Sequence, residues 1–356
     1  MSEPLVIQSF RGPYQVVFDE QAIFRLNASP TKNLHFIIDD RVAARYASLL
    51  PNVLNAPSCL RIPATEENKS FDKFSDYIQH LVSQPIRRGD TIIAIGGGII
   101  QDIAVFLAAT LLRGIDWQFY PTTLLAQADS CIGSKSSINF KSWKNLLGTF
   151  TPPKVVYVCT QFLDTLGEPE LRSGVGEMIK VHVIDGKPSV NRMLKDYDLI
   201  FGDRKLMRQY IETSLRIKKK LIEEDEFDQG IRNILNYGHS FGHAIESATD
   251  FAIPHGVAVT IGMDLANFFS YRRGSLDGST FESLHFLMAK NYRGYESITV
   301  PVDRFFSALS KDKKNIGEKL ALILLNESGT VSKQIVDKDT GFEAICGEYL
   351  NHGRTQ

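Results

Sequence analysis

The sequence predicts an α/β nucleotide-binding domain over residues 1–160 followed by a mostly α-helical domain over residues 161–356, with a cleft between them. Three observations predict it. Short apolar runs alternate with helical patterns through the first half, as in a parallel sheet covered by helices. One of these runs, Thr91–Ile95, passes through Gly96-Gly97-Gly98 into a further helical pattern. Beyond about Thr160 long helical periodicities take over, at 203–224, 229–249 and 255–273.

Taken in order, LVIQSF and YQVVF flank Arg11-Gly12-Pro13 and read as a hairpin. LHFIID (34–39), TIIAI (91–95), WQFYP (117–121) and KVVYVC (154–159) read as short buried strands. AARYASLL and FDKFSDYIQHLVS supply helical patterns between them, and LALILL (320–325) suggests a late strand. RIKKKLIEEDE (216–226) is basic and then acidic, the pattern of a solvated helix with ion-paired faces.

Composition narrows the class. Of 356 residues 43% are hydrophobic and 23% charged, as in a soluble globular protein. With 40 basic and 41 acidic side chains, a net charge of −1 gives no general attraction for nucleic acid or an anionic membrane. The weightiest apolar stretch, Ile103–Leu112, falls far short of the roughly 20 residues that span a bilayer. MSEPLVIQSF lacks the basic start and apolar core of a signal peptide, so a cytoplasmic location is expected. Cys59, Cys131, Cys159 and Cys346 lie far apart, with the spacing of neither a disulfide framework nor a cysteine zinc site.

Several residues point to chemistry. Glycines at 96–98 remove the Cβ atoms that would keep a phosphate from the backbone, and the helix that follows offers free N–H groups. A tight turn explains the glycines nearly as well. Asp102, one turn into that otherwise apolar helix, needs a partner, for which a ligand hydroxyl is one candidate. Arg113, Thr122, Thr123, Asp129, Lys135, Lys144 and Asn145 are each set among apolar residues. They either reach the surface singly or converge on a phosphorylated, carboxylated or polyhydroxylated small molecule. Glu177 and Lys180 stand three apart, as in a plain helix ion pair. Arg232, Asn236, His239 and His243 follow at near-helical spacing, and His255 opens the next helical run. Glu177, His239 and His255 make up a three-ligand zinc set with an open position. Ser240 after the first histidine excludes the HExxH pattern of zincin-type proteases.

With these segments assembled, the sequence resembles the 3-dehydroquinate synthase family, within the sugar phosphate cyclases. GGGIIQD, LRG, PTTLLAQADS, KSSIN, KNLLGTF, GEMIK, RNILNYGHSFGHAIE, HGVAVTIGM and KDKKN carry the resemblance, in family order, from about residue 60 to 325. It implies a dehydroquinate synthase-like fold and a homodimer. It further implies an NAD site on Asp40, Glu66, Lys69, Gly97, Gly98, Asp102, Thr122, Thr123, Lys144, Phe162 and Thr165. Zinc or cobalt would sit on Glu177, His239 and His255, the set already reached. Substrate would meet Arg113, Asp129, Lys135, Asn145, Lys180, Arg232, Asn236, His243 and Lys313 or Lys314. The catalytic group among these would be His243, in proton transfer, with Lys135, Lys180, Arg232 and Asn236. In this family NAD transiently oxidises a ring hydroxyl of a phosphorylated sugar acid, phosphate is eliminated, the same NADH reduces the ketone, and an aldol step closes a carbocycle.

The chain departs from the family pattern at Gln101, where glycine commonly precedes the aspartate. It departs again at Ser134, where a second glycine usually precedes the pocket lysine, and at Val257, where glutamate usually follows HG. Ser134 is expected to alter which sugar fits beside Lys135. The leading expectation is 3-dehydroquinate synthase chemistry, in aromatic amino acid biosynthesis. The alternatives are a sibling cyclase acting on sedoheptulose 7-phosphate or an amino-sugar analogue, and a metal-dependent polyol dehydrogenase. Members of the sedoheptulose-using group typically lose the second histidine of the GHxFGH motif, which is kept here as His243.

Overall fold

The computed structural model describes residues 3–141, 143–312 and 314–354. The chain divides into two compact units, one of Met1–Leu166 with Ile222–Phe227, the other of Gly167–Leu221 with Asp228–Gln356. No helix among the described residues is long and apolar enough to cross a membrane.

The first unit is built on a seven-stranded sheet. Its strands are β1 (Leu5–Ile7), β2 (Tyr14–Phe18), β3 (Leu34–Asp39), β4 (Leu60–Ile62), β5 (Thr91–Gly96), β6 (Asp116–Pro121) and β9 (Val155–Val158). β7 (Ile138–Phe140) and β8 (Trp143–Leu147) form a separate antiparallel ribbon. The sheet order is β1-β2-β9-β6-β5-β3-β4. Only the β1–β2 hairpin is antiparallel; its turn holds Gly12 at φ +98°, a conformation that favours glycine. β3 and β5 are buried along both faces, which is why they read as unbroken apolar runs. Helices α1 (Ala22–Ala28), α2 (Asp40–Arg45), α3 (Pro51–Leu54), α4 (Phe74–Ser83) and α5 (Gly98–Thr110) connect them. AARYASLL is not one helix: α2 ends at Arg45 and α3 starts at Pro51, which is tolerated in a first turn.

From β3 the chain runs outward to β4 at the sheet edge, then returns on the other side of β3 to lay down β5 and β6. The order therefore reverses between β3 and β5, the place where open α/β sheets bind ligands at their strand ends. Asp39 ends β3 and Gly96 ends β5, one residue past the Ile38–Ile95 pair.

The second unit comprises α6 (Glu168–Asp185), α7 (Lys187–Asp196), most of α8 (Arg204–Glu224), α9 (His239–Ala248), α10 (His255–Arg272), α11 (Gly278–Tyr292), α12 (Val302–Ser310), a hairpin of β10 (Leu320–Leu325) and β11 (Val331–Val336), and α13 (Thr340–Glu348). α10 is buried from Gly256 to Ser270, so over that length it is a core helix with no solvent-facing side. Its Asp264 is fully buried and accepts hydrogen bonds from Tyr292 Oη at 2.8 Å and Tyr349 Oη at 2.7 Å, with His285 Nδ1 at 2.8 Å. The solvated helix expected at 216–226 is only partly so: Arg216 pairs with Glu212 one turn back, but Ile217, Lys218 and Ile222 are buried.

Glycines bring the helices close enough to build a site. A Cβ on Gly176 would lie 2.1 Å from Gly256 O, and one on Gly256 would lie 1.8 Å from Ser173 O. The α6 and α10 backbones touch there, beside Glu177 and His255. A Cβ on Gly262 would lie 2.2 Å from Gly238 O, so α9 and α10 approach equally closely beside His239.

The single helical pattern expected over 229–249 is two elements. Ile231–Asn236 is a 3₁₀ turn, and α9 starts only at His239, after Gly238 at φ +77°. Packing against Val259 O and Met263 imposes that break. Arg232 and Asn236 accordingly do not share a continuous helix face with His239 and His243.

Candidate functional site

Each unit carries a polar cluster with the side chains of a site. In the second unit, α6 presents Glu177, α9 presents His239 and His243, and the first residue of α10 is His255. Glu177 Oε1 lies 3.7 Å from His239 Nε2 and 3.4 Å from His255 Nε2. Ligand atoms held about 2.0–2.1 Å from one tetrahedral zinc stand about 3.4 Å apart. Glu177 is 1% exposed, and its Oε1 has no hydrogen-bond partner among the described residues. A buried, orphaned carboxylate oxygen between two imidazole nitrogens fits a divalent cation. The other oxygen, Oε2, accepts from Lys180, itself 2% exposed. His239 Nδ1 faces Tyr237 O at 3.2 Å, which turns Nε2 toward Glu177. His243 completes the cluster: one ring nitrogen each from His239, His243 and His255 lie within 4.8 Å of one another.

The electrostatics of the cation-free protein suit the same purpose. Burial pushes Glu177 up, but Lys180, His239 and His255 outweigh it and hold the carboxyl well below the usual range. Burial and the Lys180 charge hold His239 well below the ordinary imidazole value, and burial with His255 brings His243 down to about 4. Burial also opposes charge on His255, but contacts with Glu177 and Glu246 raise it to about 10. His255 thus carries the proton that a cation would replace. Beside it, Ser240 Oγ donates to Asp312 Oδ2 at 2.8 Å, and Lys314 Nζ lies 3.5 Å from the same oxygen. Lys313 lies outside the described residues. Arg232 is 5% exposed, and Asn236 Nδ2 donates to Asn233 O at 3.1 Å.

In the first unit Lys69 organises the cluster. Its Nζ donates to Asp102 Oδ2 at 3.0 Å and Asn145 Oδ1 at 2.8 Å. Ser137 gives Asp102 its backbone N–H at 2.8 Å and its hydroxyl at 3.0 Å. Glu66 accepts from Asn139 at 2.8 Å. The structure therefore brings together Glu66, Lys69, Asp102 and Asn145, and the partners that half-buried Asp102 requires come from the protein itself. The three glycines differ. A Cβ on Gly96 would strike Ile100 at 2.6 Å and one on Gly97 would meet Thr123 at 2.9 Å, but one on Gly98 would meet only Ser130, at 3.9 Å. Packing accounts for the first two glycines; the third leaves room for a ligand. α5 starts there with no side chain capping it.

The remaining expected residues are scattered in environment. Asp40 is exposed and pairs with Arg61, whereas Asp39 is buried and caps α2 through Arg41 N–H at 3.0 Å. Burial raises the Asp39 carboxyl above its ordinary value. Thr122 is buried, Thr123 Oγ1 accepts from Ala126 N–H at 3.2 Å, and Phe162 lies in the core against Tyr46. Thr165 O accepts from Arg45 at 2.5 Å. Arg113, Lys135 and Lys144 are exposed, and Asp129 is half-buried.

Two departures from the family pattern turn out to be braces. Gln101 and Ser130 exchange hydrogen bonds, Nε2 to Ser130 O and Ser130 Oγ to Oε1, both at 2.7 Å. Ser134 is 7% exposed and its hydroxyl donates to Glu226 Oε1 at 2.7 Å, so it turns away from solvent and ties the Lys135 loop to residues 222–227. Val257 is fully buried. Sequence reasoning missed Asp39, Ser137, Asn139 and Glu246. A signal for the metal site was available: a glycine adjoins Glu177, His239 and His255 in turn.

A mostly parallel sheet with a glycine-opened helix at its switch point, followed in the chain by a helical unit with a carboxylate–imidazole cluster, defines a two-unit α/β–α protein. Residues 59–173 match the 3-dehydroquinate synthase N-terminal family and residues 174–315 the 3-dehydroquinate synthase C-terminal family. The 3-dehydroquinate synthase of Streptococcus pyogenes serotype M6 is 32% identical over 353 residues, covering 96% of this chain and 98% of that protein. That of Dictyoglomus thermophilum is 37% identical over 289 residues, covering 78% and 79%. The chain belongs to the 3-dehydroquinate synthase family of sugar phosphate cyclases. Its fold is also that of 2-deoxy-scyllo-inosose synthase complexed with carbaglucose-6-phosphate, NAD+ and Co2+, at TM-score 0.82 and 23% identity over 97% of this chain and 100% of that one. The 2-epi-5-epi-valiolone synthase of Streptomyces hygroscopicus, with NAD+ and Zn2+ bound, gives TM-score 0.80 at 23% identity over 96% and 97%.

Proposed function

We propose that the chain is an NAD- and divalent-metal-dependent cyclase that eliminates phosphate from a phosphorylated sugar and closes a carbocycle. The observation that carries this reading is the orphaned Glu177 oxygen held between two imidazole nitrogens. Bound NAD would supply reversible hydride transfer and a bound zinc or cobalt ion would supply Lewis acidity. Glu177, His239 and His255 would hold the ion. Gly98 and the start of α5 would admit the dinucleotide phosphates, and Asp39, at the switch point beside Gly96, is placed better than Asp40 for a ribose diol. Lys69 and Asp102 would hold the ribbon β7–β8 beside it, with Glu66, Lys144, Thr122 and Thr123 around.

His243, an exposed imidazole whose pKa is lowered by desolvation in the cluster and by neighbouring His255, is suited to accept a proton beside the ion. Lys135, Lys314 and Arg113 supply cationic groups for phosphate, with Arg232, Asn236, Asp129 and Asn145 for hydroxyls or a carboxylate. For the substrate, a sibling sugar phosphate is the first reading, favoured by the shared fold of 2-deoxy-scyllo-inosose synthase and 2-epi-5-epi-valiolone synthase. The seven-carbon phosphorylated keto acid of 3-dehydroquinate synthase is the second, favoured by the retention of Arg113, Arg232, Asn236 and His243. The unit reading of an NAD domain and a metal domain, and a homodimer, belong to the same proposal.

Incubation of the enzyme with NAD and zinc and a panel of sugar phosphates, with phosphate release as the readout, tests it. Release without net NADH supports the cyclase. Accumulation of NADH without release, as from a polyol dehydrogenase, or no reaction with any member of the panel, counts against it. The panel member that is consumed decides between the two substrate readings.

A further inference from the structure

We infer that Glu246 is a positioning residue that fixes the tautomer and ring orientation of His255 and thereby sets the metal affinity of the cluster. This rests on the metal reading of Glu177, His239 and His255. Glu246 Oε2 lies 3.1 Å from His255 Nδ1, and its side chain is 12% exposed. With Nδ1–H donated to a carboxylate, the lone pair of His255 is on Nε2, the nitrogen that faces Glu177 Oε1. A carboxylate in this place both chooses the tautomer and raises the basicity of the imidazole toward a cation.

The chain has a particular need for Glu246. His255 is the first residue of α10, directly after Pro254, and 37% of its side chain is exposed, so packing alone leaves the ring room to turn. His239, by contrast, is 14% exposed and is oriented by the neutral carbonyl of Tyr237. Among the described residues two carboxylates lie within 4 Å of His255: Glu177, the ligand, and Glu246. Val257, buried and apolar, adds none. Glu246 sits three residues beyond His243 on α9, so that one helix face carries an imidazole for the site and the acceptor that aims the imidazole of its neighbour.

The test is the zinc dissociation constant of the purified full chain, without substrate, measured by chelator competition, alongside the melting temperature of the metal-free protein. Glu246→Leu removes the acceptor and should weaken zinc about 10- to 100-fold. Glu246→Gln keeps a neutral acceptor and should fall between Leu and the parent protein, with the metal-free melting temperature close to the parent. An unchanged dissociation constant in Glu246→Leu, or a Gln variant no tighter than Leu, overturns the inference. Should Glu246→Leu fail to fold, Glu246→Gln decides alone: several-fold weaker zinc supports the inference and parental affinity overturns it. A parent protein that binds no stoichiometric zinc defeats the underlying metal reading, a different outcome from a tight parent with indifferent variants.

Discussion

The two polar clusters answer the same problem, buried charge, in opposite ways. In the first unit Lys69, Asp102, Ser137 and Asn145 satisfy one another, so the cation and carboxylate cancel inside the protein. In the second unit Lys180 satisfies only one oxygen of Glu177, and the other is left between two imidazoles. A self-completed cluster is a scaffold on which a ligand can rest without breaking it. An incomplete one stores a defined demand for positive charge. That difference separates residues that shape a site from residues suited to hold an ion.

Removing a ligand breaks the second cluster outright. His239→Ala or Glu177→Ala should lose bound zinc and about 1000-fold or more in turnover, as expected for several kcal/mol of Lewis-acid stabilisation. Metal content by elemental analysis and phosphate release check this together; survival of both in both variants would remove the zinc assignment. His243→Ala should instead retain the metal while losing rate.

Breaking the first cluster should be felt in stability. Lys69→Met leaves half-buried Asp102 without its cation and should cost about 3 kcal/mol, whereas Lys69→Met with Asp102→Leu should recover much of that. Denaturant midpoints of the two variants measure it. Equal losses would mean that the pair is not self-completed. A comparable loss is expected where only helix approach is touched: Gly256→Ala drives a Cβ toward Ser173 O and should cost about 3 kcal/mol of overpacking. It should also weaken zinc, because α6 and α10 separate beside both Glu177 and His255.

The smallest effect concerns an imidazole with no partner cluster. His182 on α6 is 1% exposed, and neither ring nitrogen has a hydrogen-bond partner among the described residues. Burial lowers its pKa to about 4. The unfolded chain therefore takes up this proton more readily than the folded one. The stabilising contribution is full above about pH 6.5 and is lost as pH falls toward 4, on the order of 2 kcal/mol. His182→Leu should flatten that part of the acid unfolding profile. An unchanged profile would place the acid sensitivity elsewhere.

Much of this was legible in the residues. The strands at 34–39, 91–96 and 320–325 are mostly apolar runs whose burial on both faces is written in composition. Glu177, His239 and His255 could be grouped as a candidate set because their side-chain types are those zinc takes, and the fold brings Glu177 to 3.7 and 3.4 Å from the two imidazoles. What misled was local continuity: Arg232 to His243 keeps a helical spacing, yet contact of Gly238 with α10 breaks the helix between them. Asp40 was expected at the NAD site, but the end of β3 buries its neighbour Asp39 and leaves Asp40 half-exposed against Arg61.

By itself the sequence determined the alternation of sheet and helix, the family, and the chemical types available to a site, since periodicity and side-chain identity are local properties. Only the tertiary structure decided which groups complete one another. Asp102 found its cation in Lys69, 33 residues away, and Glu177 met imidazoles from two other helices. Whether a buried charge is cancelled or left in demand depends on distances of 3 to 4 Å across the fold, which no spacing along the chain records.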